Sequence, residues 1–204
     1  RRLRYARFLV PRLPAQIRME EHMTDFTIPL QAAIRVEKDR PVDDIFEAVA
    51  ELLRAEGLVV AGFLQWERTD DGACCGRIEL EDLASGERHL ISQALGPGAR
   101  GCRLDPQALA DVAGRLLSGL ENDPDLLILN RFGKGEAEGQ GFRAVMEEAC
   151  ARGIPVLIAV RESYVEAWER FAGDLGLLLP PDRGPVVDWV RRAVAAAGRL
   201  RDAA

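Results

Sequence analysis

The 204 residues carry a formal net charge of -6, with 48% hydrophobic and 29% charged side chains. A chain of this size buries one substantial core, so one compact domain with peripheral decoration is expected. The acidic balance argues against non-specific nucleic-acid binding, and no apolar segment is long enough to span a bilayer.

Charge is uneven along the chain. Arg1, Arg2, Arg4, Arg7, Arg12 and Arg18 oppose only Glu20 and Glu21 before Met23. This stretch lacks helical periodicity and contains Pro11 and Pro14, so residues 1–22 read as a basic, disordered extension to a single α/β domain at 23–204. An upstream start with Met23 as the natural one, or an arm touching membrane or nucleic acid, are the two accounts of it. Phe8-Leu9-Val10 is too short for the apolar region of a secretory signal.

Leu30 to Val36 reads as a first strand. Pro41 suits the first position of a helix, and Ile45, Phe46, Val49, Leu52 and Leu53 give it an apolar face. Gly57 ends that helix, and Leu58 to Leu64 forms a second buried strand. Asp70-Asp71-Gly72 then marks a turn between Phe63–Arg68 and Cys74–Leu80, a β-hairpin. Ser85-Gly86 turns again toward a short strand at His89 to Ser92, which places a β-rich insertion at about 63–92. Asp105 and Pro106 open a helix as N-cap and first residue.

Regular alternation resumes after Pro124. Leu126 to Leu129 is a strand, followed by a polar loop and a helix carrying Phe142, Val145, Met146 and Ala149. Ile154 to Val160 is the next buried strand, and Val165, Trp168 and Phe171 mark a helix. A short run at Leu177–Leu179 precedes a closing helix through Val186, Val187, Val190, Val194 and Ala197. The fold class is therefore a three-layer α/β domain with a mostly parallel sheet and a β-hairpin insertion.

Cys74, Cys75, Cys102 and Cys150 form no CxxC pair, and His22 and His89 add no convincing zinc ligand set. Reduced thiols in a cytoplasmic protein are the expectation, with no metal site. His89 reads as structural, and Trp66, Trp168 and Trp189 as packing residues.

The chemistry is expected where the strand 126–129 gives way to Asn130, Arg131, Gly133 and Lys134, because parallel sheets present functional residues at their carboxyl ends. Asn130 can hydrogen-bond but is a poor magnesium ligand, and Arg131 cannot act as a base at neutral pH. Arg131 and Lys134 place two cations beside a glycine-containing loop, which suits an oxyanion or a phosphate. The competing account pairs Arg131 with Glu136 or Glu138 and leaves a pinned loop. Glu136 and Glu138 are also the candidates for an acid/base pair or metal ligands, on a weak signal. Cys102 and Arg103, just before the helix at Asp105, form a second anion candidate; packing of Cys102 and a salt bridge for Arg103 is the simpler account.

A phosphate-binding loop needs GxxxxGK[ST] after the first strand. The chain instead reads Arg35-Val36-Glu37-Lys38-Asp39-Arg40-Pro41-Val42-Asp43-Asp44, with no glycine. Glu37, Asp39, Asp43 and Asp44 would repel a triphosphate, and Lys38 and Arg40 read as solvated charge.

Two blocks resemble a small P-loop family of nucleoside-triphosphatases first known from thermophiles. Val60-Ala61-Gly62-Phe63-Leu64-Gln65-Trp66-Glu67 is similar to its VxGFxTxE strand, and Glu81-Asp82-Leu83-Ala84-Ser85-Gly86 to its "dlxtG" turn. Leu129-Asn130-Arg131-Phe132-Gly133-Lys134-Gly135-Glu136 is similar to its IDEIGKMEL segment, with Asn130 and Arg131 in place of the Asp-Glu pair. Cys102-Arg103-Leu104-Asp105-Pro106 and Asn130 to Gly139 also resemble a bacterial family of unknown function associated with molybdenum-uptake gene neighbourhoods. The resemblances imply a P-loop-like fold without ordinary ATP hydrolysis and a molybdenum connection. The expected function is a binding or regulatory protein for a small oxyanion or nucleotide. The alternatives are a phosphohydrolase with a non-standard site and a protein-interaction module.

Overall fold

Strand alternation sets up two cores. In β1 (Gln31–Val36), Ala32, Ile34 and Val36 enter one core and Ala33 the other. A strand covered on both faces is apolar throughout, which is why it reads as a continuous hydrophobic run. The computed structural model describes residues 28–37, 42–68, 77–93 and 104–202.

The remaining strands are β2 (Val60–Arg68), β3 (Arg77–Asp82), β4 (Arg88–Leu90), β5 (Leu126–Phe132), β6 (Val156–Arg161) and β7 (Gly176–Leu179). They form one sheet in the order β4-β3-β2-β5-β6-β1-β7. The stretch from β2 to β7 is parallel, and β3 and β4 extend it antiparallel. β1 thus lies between β6 and β7, at the point where the chain reverses its direction of winding across the sheet. In open α/β sheets such a reversal opens a crevice beyond the carboxyl ends of the strands.

Helices cover both faces. α1 (Asp43–Ala55) lays Phe46, Val49, Ala50 and Leu53 on the face that receives Ile34 and Ile128. There it meets the long closing helix, which contributes Val186, Trp189, Val190 and Ala193. The opposite face is packed by α2 (Pro106–Gly119), α4 (Arg143–Ala151) and α5 (Val165–Ala172), with Val112, Val145, Met146 and Trp168 buried. A four-residue helix, α3 (Lys134–Ala137), leads into α4, and α6 (Arg183–Asp202) closes the chain. No helix among the described residues is long and apolar enough to cross a membrane.

Three expectations are corrected. The first helix begins at Asp43, after Val42 as N-cap, rather than at Pro41; Pro41 itself lies outside the described residues. The second strand and the first arm of the hairpin are one nine-residue strand, β2. Val60 to Gly62 pair with β5 and Phe63 to Arg68 with β3, so it belongs to both the parallel and the antiparallel parts. Finally, β5 does not stop at Leu129 but runs through Phe132. The Asp105 cap holds: its carboxylate accepts the backbone N–H of Gln107 and Ala108, with Pro106 opening α2.

Gly62 welds β2 to β5. It adopts φ +120°, and a Cβ there would stand 1.8 Å from the carbonyl oxygen of Ile128. Only glycine allows the two backbones to come this close.

Candidate functional site

The end of β5 carries an irregularity that determines where its polar residues go. Leu127, Ile128 and Leu129 pair in step with β6, but the register shifts between Leu129 and Phe132. Leu126 and Ile128 enter the core of α1 and α6, whereas Leu127, Leu129 and Phe132 enter the other core. Strict alternation would send Phe132 to the side of Ile128. The bulge returns it to the side of Leu129, where its ring packs edge-on against Trp168. Asn130 and Arg131 occupy the bulge, the kind of distortion that re-aims side chains at a strand end.

Asn130 is 8% exposed, and neither its amide nitrogen nor its amide oxygen has a hydrogen-bond partner among the described residues. A buried, unpaired amide costs about 1–3 kcal/mol, so native proteins seldom keep one without a use. Arg131 beside it is half-buried, and its Nε is also without a partner. Burial pulls the Arg131 guanidinium below its ordinary value, and nearby Arg161 adds to this; Asp43 and Glu67 act the other way. Arginine nevertheless keeps its charge, so the strand end holds a fixed, partly desolvated cation.

The next loop is organised differently from the sequence expectation. The Glu136 carboxylate is buried and accepts the N–H of Gly133 at 2.9 Å on one oxygen and that of Phe142 at 3.1 Å on the other. Gly141, at φ +64°, leaves room for it, since a Cβ there would fall 2.3 Å from Glu136 Oε1. Glu136 is thus the clasp of the α3–α4 corner, and the Gly133 N–H is already engaged. Lys134 and Glu138 face each other one helical turn apart at 3.8 Å, both largely exposed. The structure therefore brings Asn130 and Arg131 together at the buried strand end and leaves Lys134 outside on an ion pair. Neither Glu136 nor Glu138 pairs with Arg131. Cys102 and Arg103 lie outside the described residues.

Two charged residues that the sequence reading did not assign to the site influence the Arg131 charge through space. Arg161 ends β6, and Asp43 begins α1. Burial raises the Asp43 carboxyl above the usual carboxylate range, Arg131 opposes that rise, and Asp44 adds to it. The only sequence signal for either was a position at the carboxyl end of a strand or just after one. At the carboxyl ends of β6, β1 and β7, a cleft of about 420 Å³ is lined by Arg35, Glu37, Glu162 and Pro180. It is bridged by an exposed, two-pronged Arg35–Glu162 pair at 2.6 and 2.7 Å. His89 packs edge-on to Phe63, as a structural residue would. Cys150 is a free, partly buried thiol. No group of three or more potential metal ligands converges among the described residues.

This arrangement of sheet, crossover and strand end is the P-loop nucleoside-triphosphatase fold. The solution structure of a human cancer-related nucleoside triphosphatase matches with a TM-score of 0.56 at 17% identity, over 85% of this chain and 98% of that one. THEP1 from the hyperthermophile Aquifex aeolicus matches with a TM-score of 0.52 at 15% identity, over 74% and 88%. Residues 31–189 match the family described as "Protein of unknown function (DUF2478)", and the chain belongs to that family. It is also 37% identical over 167 residues to the molybdenum import ATP-binding protein ModC 2 of Bradyrhizobium diazoefficiens. That match takes in 80% of this chain but 18% of the relative, so the chain spans under a fifth of that protein's length.

Proposed function

We propose that this domain is a non-hydrolysing binding or regulatory protein that holds a small oxyanion, or the phosphate of a nucleotide, at the carboxyl end of β5. The observation that carries the reading is the buried Asn130 amide, unpaired on both atoms among the described residues and set beside a half-buried arginine. Arg131 supplies charge, and the Asn130 N–H₂ supplies directional donors to an anionic oxygen. Lys134, exposed at the start of α3, would help draw the anion in; Cys102 and Arg103 remain a second candidate on sequence grounds.

Hydrolysis is disfavoured by the residues themselves. Asn130 and Arg131 stand where the similar family has an Asp-Glu pair; Asn130 is a poor magnesium ligand beside a carboxylate, and Arg131 cannot serve as a base. No GxxxxGK[ST] loop is present in the chain. The link to molybdenum rests on the name of the Bradyrhizobium relative, and it makes molybdate the first anion to try.

Thermal unfolding against molybdate, tungstate, sulfate, phosphate and magnesium nucleotides tests the reading. A ligand at one hundred times its dissociation constant should stabilise by about 2.7 kcal/mol, a shift of a few degrees. Arg131→Ala should remove the shift while leaving the ligand-free protein folded. An undiminished shift in that variant would take Arg131 out of the site. No shift with any of these ligands would make a protein partner the leading reading.

A further inference from the structure

Arg35, Arg88, Arg143, Arg152, Arg191 and Arg201 each hold a carboxylate at 2.9 Å or less. Arg131 and Arg161 do not: among the described residues neither forms an ion pair or a side-chain hydrogen bond. Glu162, the residue after Arg161, is already taken by Arg35 through both of its oxygens.

Strand pairing brings these two uncommitted arginines to one spot. Leu129 stands opposite Ile158 and Phe132 opposite Val160, so Asn130 and Arg131 together oppose Ala159. Arg161 is the next residue beyond Val160. With strands about 4.8 Å apart and a rise of about 3.3 Å per residue, the two arginine Cα atoms lie about 8 Å from each other, within the joint reach of their side chains. They also share a face. Ala159 enters the core of α1 and α6 and Val160 the other core, so alternation turns Arg161 toward α1. Val36, opposite Arg161 on β1, is buried on that same side. Leu129 and Phe132 both turn to the other core, which opens the bulge between them on the α1 side.

The Asn130 amide closes the inner end of this spot, 8% exposed and unpartnered on both atoms among the described residues, and the Arg131 Nε is equally unpartnered. Arg161 is exposed, so its side of the spot is open to solvent. Arg161 helps to pull the Arg131 guanidinium below its ordinary value, while Asp43 and Glu67 act against that without bonding to it. Two cations placed this way repel until an anion sits between them.

We propose that Arg161 is the second guanidinium of the site: it and Arg131 grip one doubly charged tetrahedral oxyanion, and the Asn130 amide fixes one of its oxygens. This rests on the oxyanion reading of Asn130 and Arg131 and narrows it to a charge class. A dianion offers each guanidinium a charge and a pair of oxygens, whereas a monoanion of the same shape leaves one cation uncompensated.

The test is calorimetric titration of the full chain with molybdate and with perrhenate at about pH 7.5, where both arginines are charged. These are tetrahedral oxyanions of similar size, the first a dianion and the second a monoanion. Molybdate should bind at least about tenfold more tightly than perrhenate. Arg161→Ala should weaken molybdate by about ten- to a hundredfold and perrhenate much less, so that the discrimination collapses. Arg161→Lys keeps the charge without the fork and should recover part of it. Arg170→Ala removes an exposed charge from α5 and, as the control for net charge, should leave both affinities unchanged. Parental affinity and discrimination in Arg161→Ala, or an equal loss in Arg170→Ala, would overturn the role of Arg161 and leave the reading of Asn130 and Arg131 standing. Should Arg161→Ala fail to fold, the unaltered chain decides alone: perrhenate bound as tightly as molybdate overturns the proposal. Binding of neither anion at millimolar concentration overturns both readings.

Discussion

At the scale of single residues, the role proposed for Asn130 sets binding against stability. Its amide is buried and has no partner among the described residues, so an apolar residue of similar shape should be tolerated better than asparagine is. Asn130→Leu is expected to raise the ligand-free unfolding free energy by about 1–3 kcal/mol, read from the urea midpoint, while abolishing stabilisation by anions. Glu136 should behave in the reverse manner. Glu136→Ala leaves the N–H groups of Gly133 and Phe142 without an acceptor and should cost about 2–4 kcal/mol in the same measurement. Glu136→Gln retains one acceptor and should lose about half of that. The sequence made Asn130 and Arg131 legible because an apolar run breaks abruptly into polar residues there. It hid the role of Glu136, because its partners become neighbours only when the α3–α4 corner closes around Gly141.

At the scale of elements, the weld between β2 and β5 is the most exacting contact. Gly62→Ala places a methyl group inside the normal contact distance of the Ile128 carbonyl, at a φ that alanine rarely adopts. The expected loss is more than about 3 kcal/mol, or failure to fold, as seen in denaturant unfolding and circular dichroism. Helix positions were readable from apolar spacing and from the Asp105-Pro106 start, since those signals are local. Strand ends were not, because Asn130 and Arg131 look like loop residues until the bulge is seen to keep them in the strand. Likewise, β2 looked like two strands because its outer half is only partly buried and carries polar side chains.

At the scale of the whole molecule, α/β alternation was enough to imply a mostly parallel sheet, and the similarity of two short blocks pointed to the P-loop-like arrangement. The order of strands could not be read from pattern, because pairing between parallel strands is a long-range choice among apolar segments of similar character. Fold and chemistry are separable: the strands and crossovers follow the P-loop arrangement, and an amide and a guanidinium occupy the end of β5.

The place of β1 between β6 and β7 has a consequence in time. Ribosomes make β1 before every other described strand, yet both of its neighbours emerge near the far end of the chain. Through most of synthesis its two edges must stay unpaired or be sheltered, and α1 must wait for α6 to complete its core. This domain cannot mature piecemeal behind the ribosome; its centre closes only when its last helix arrives.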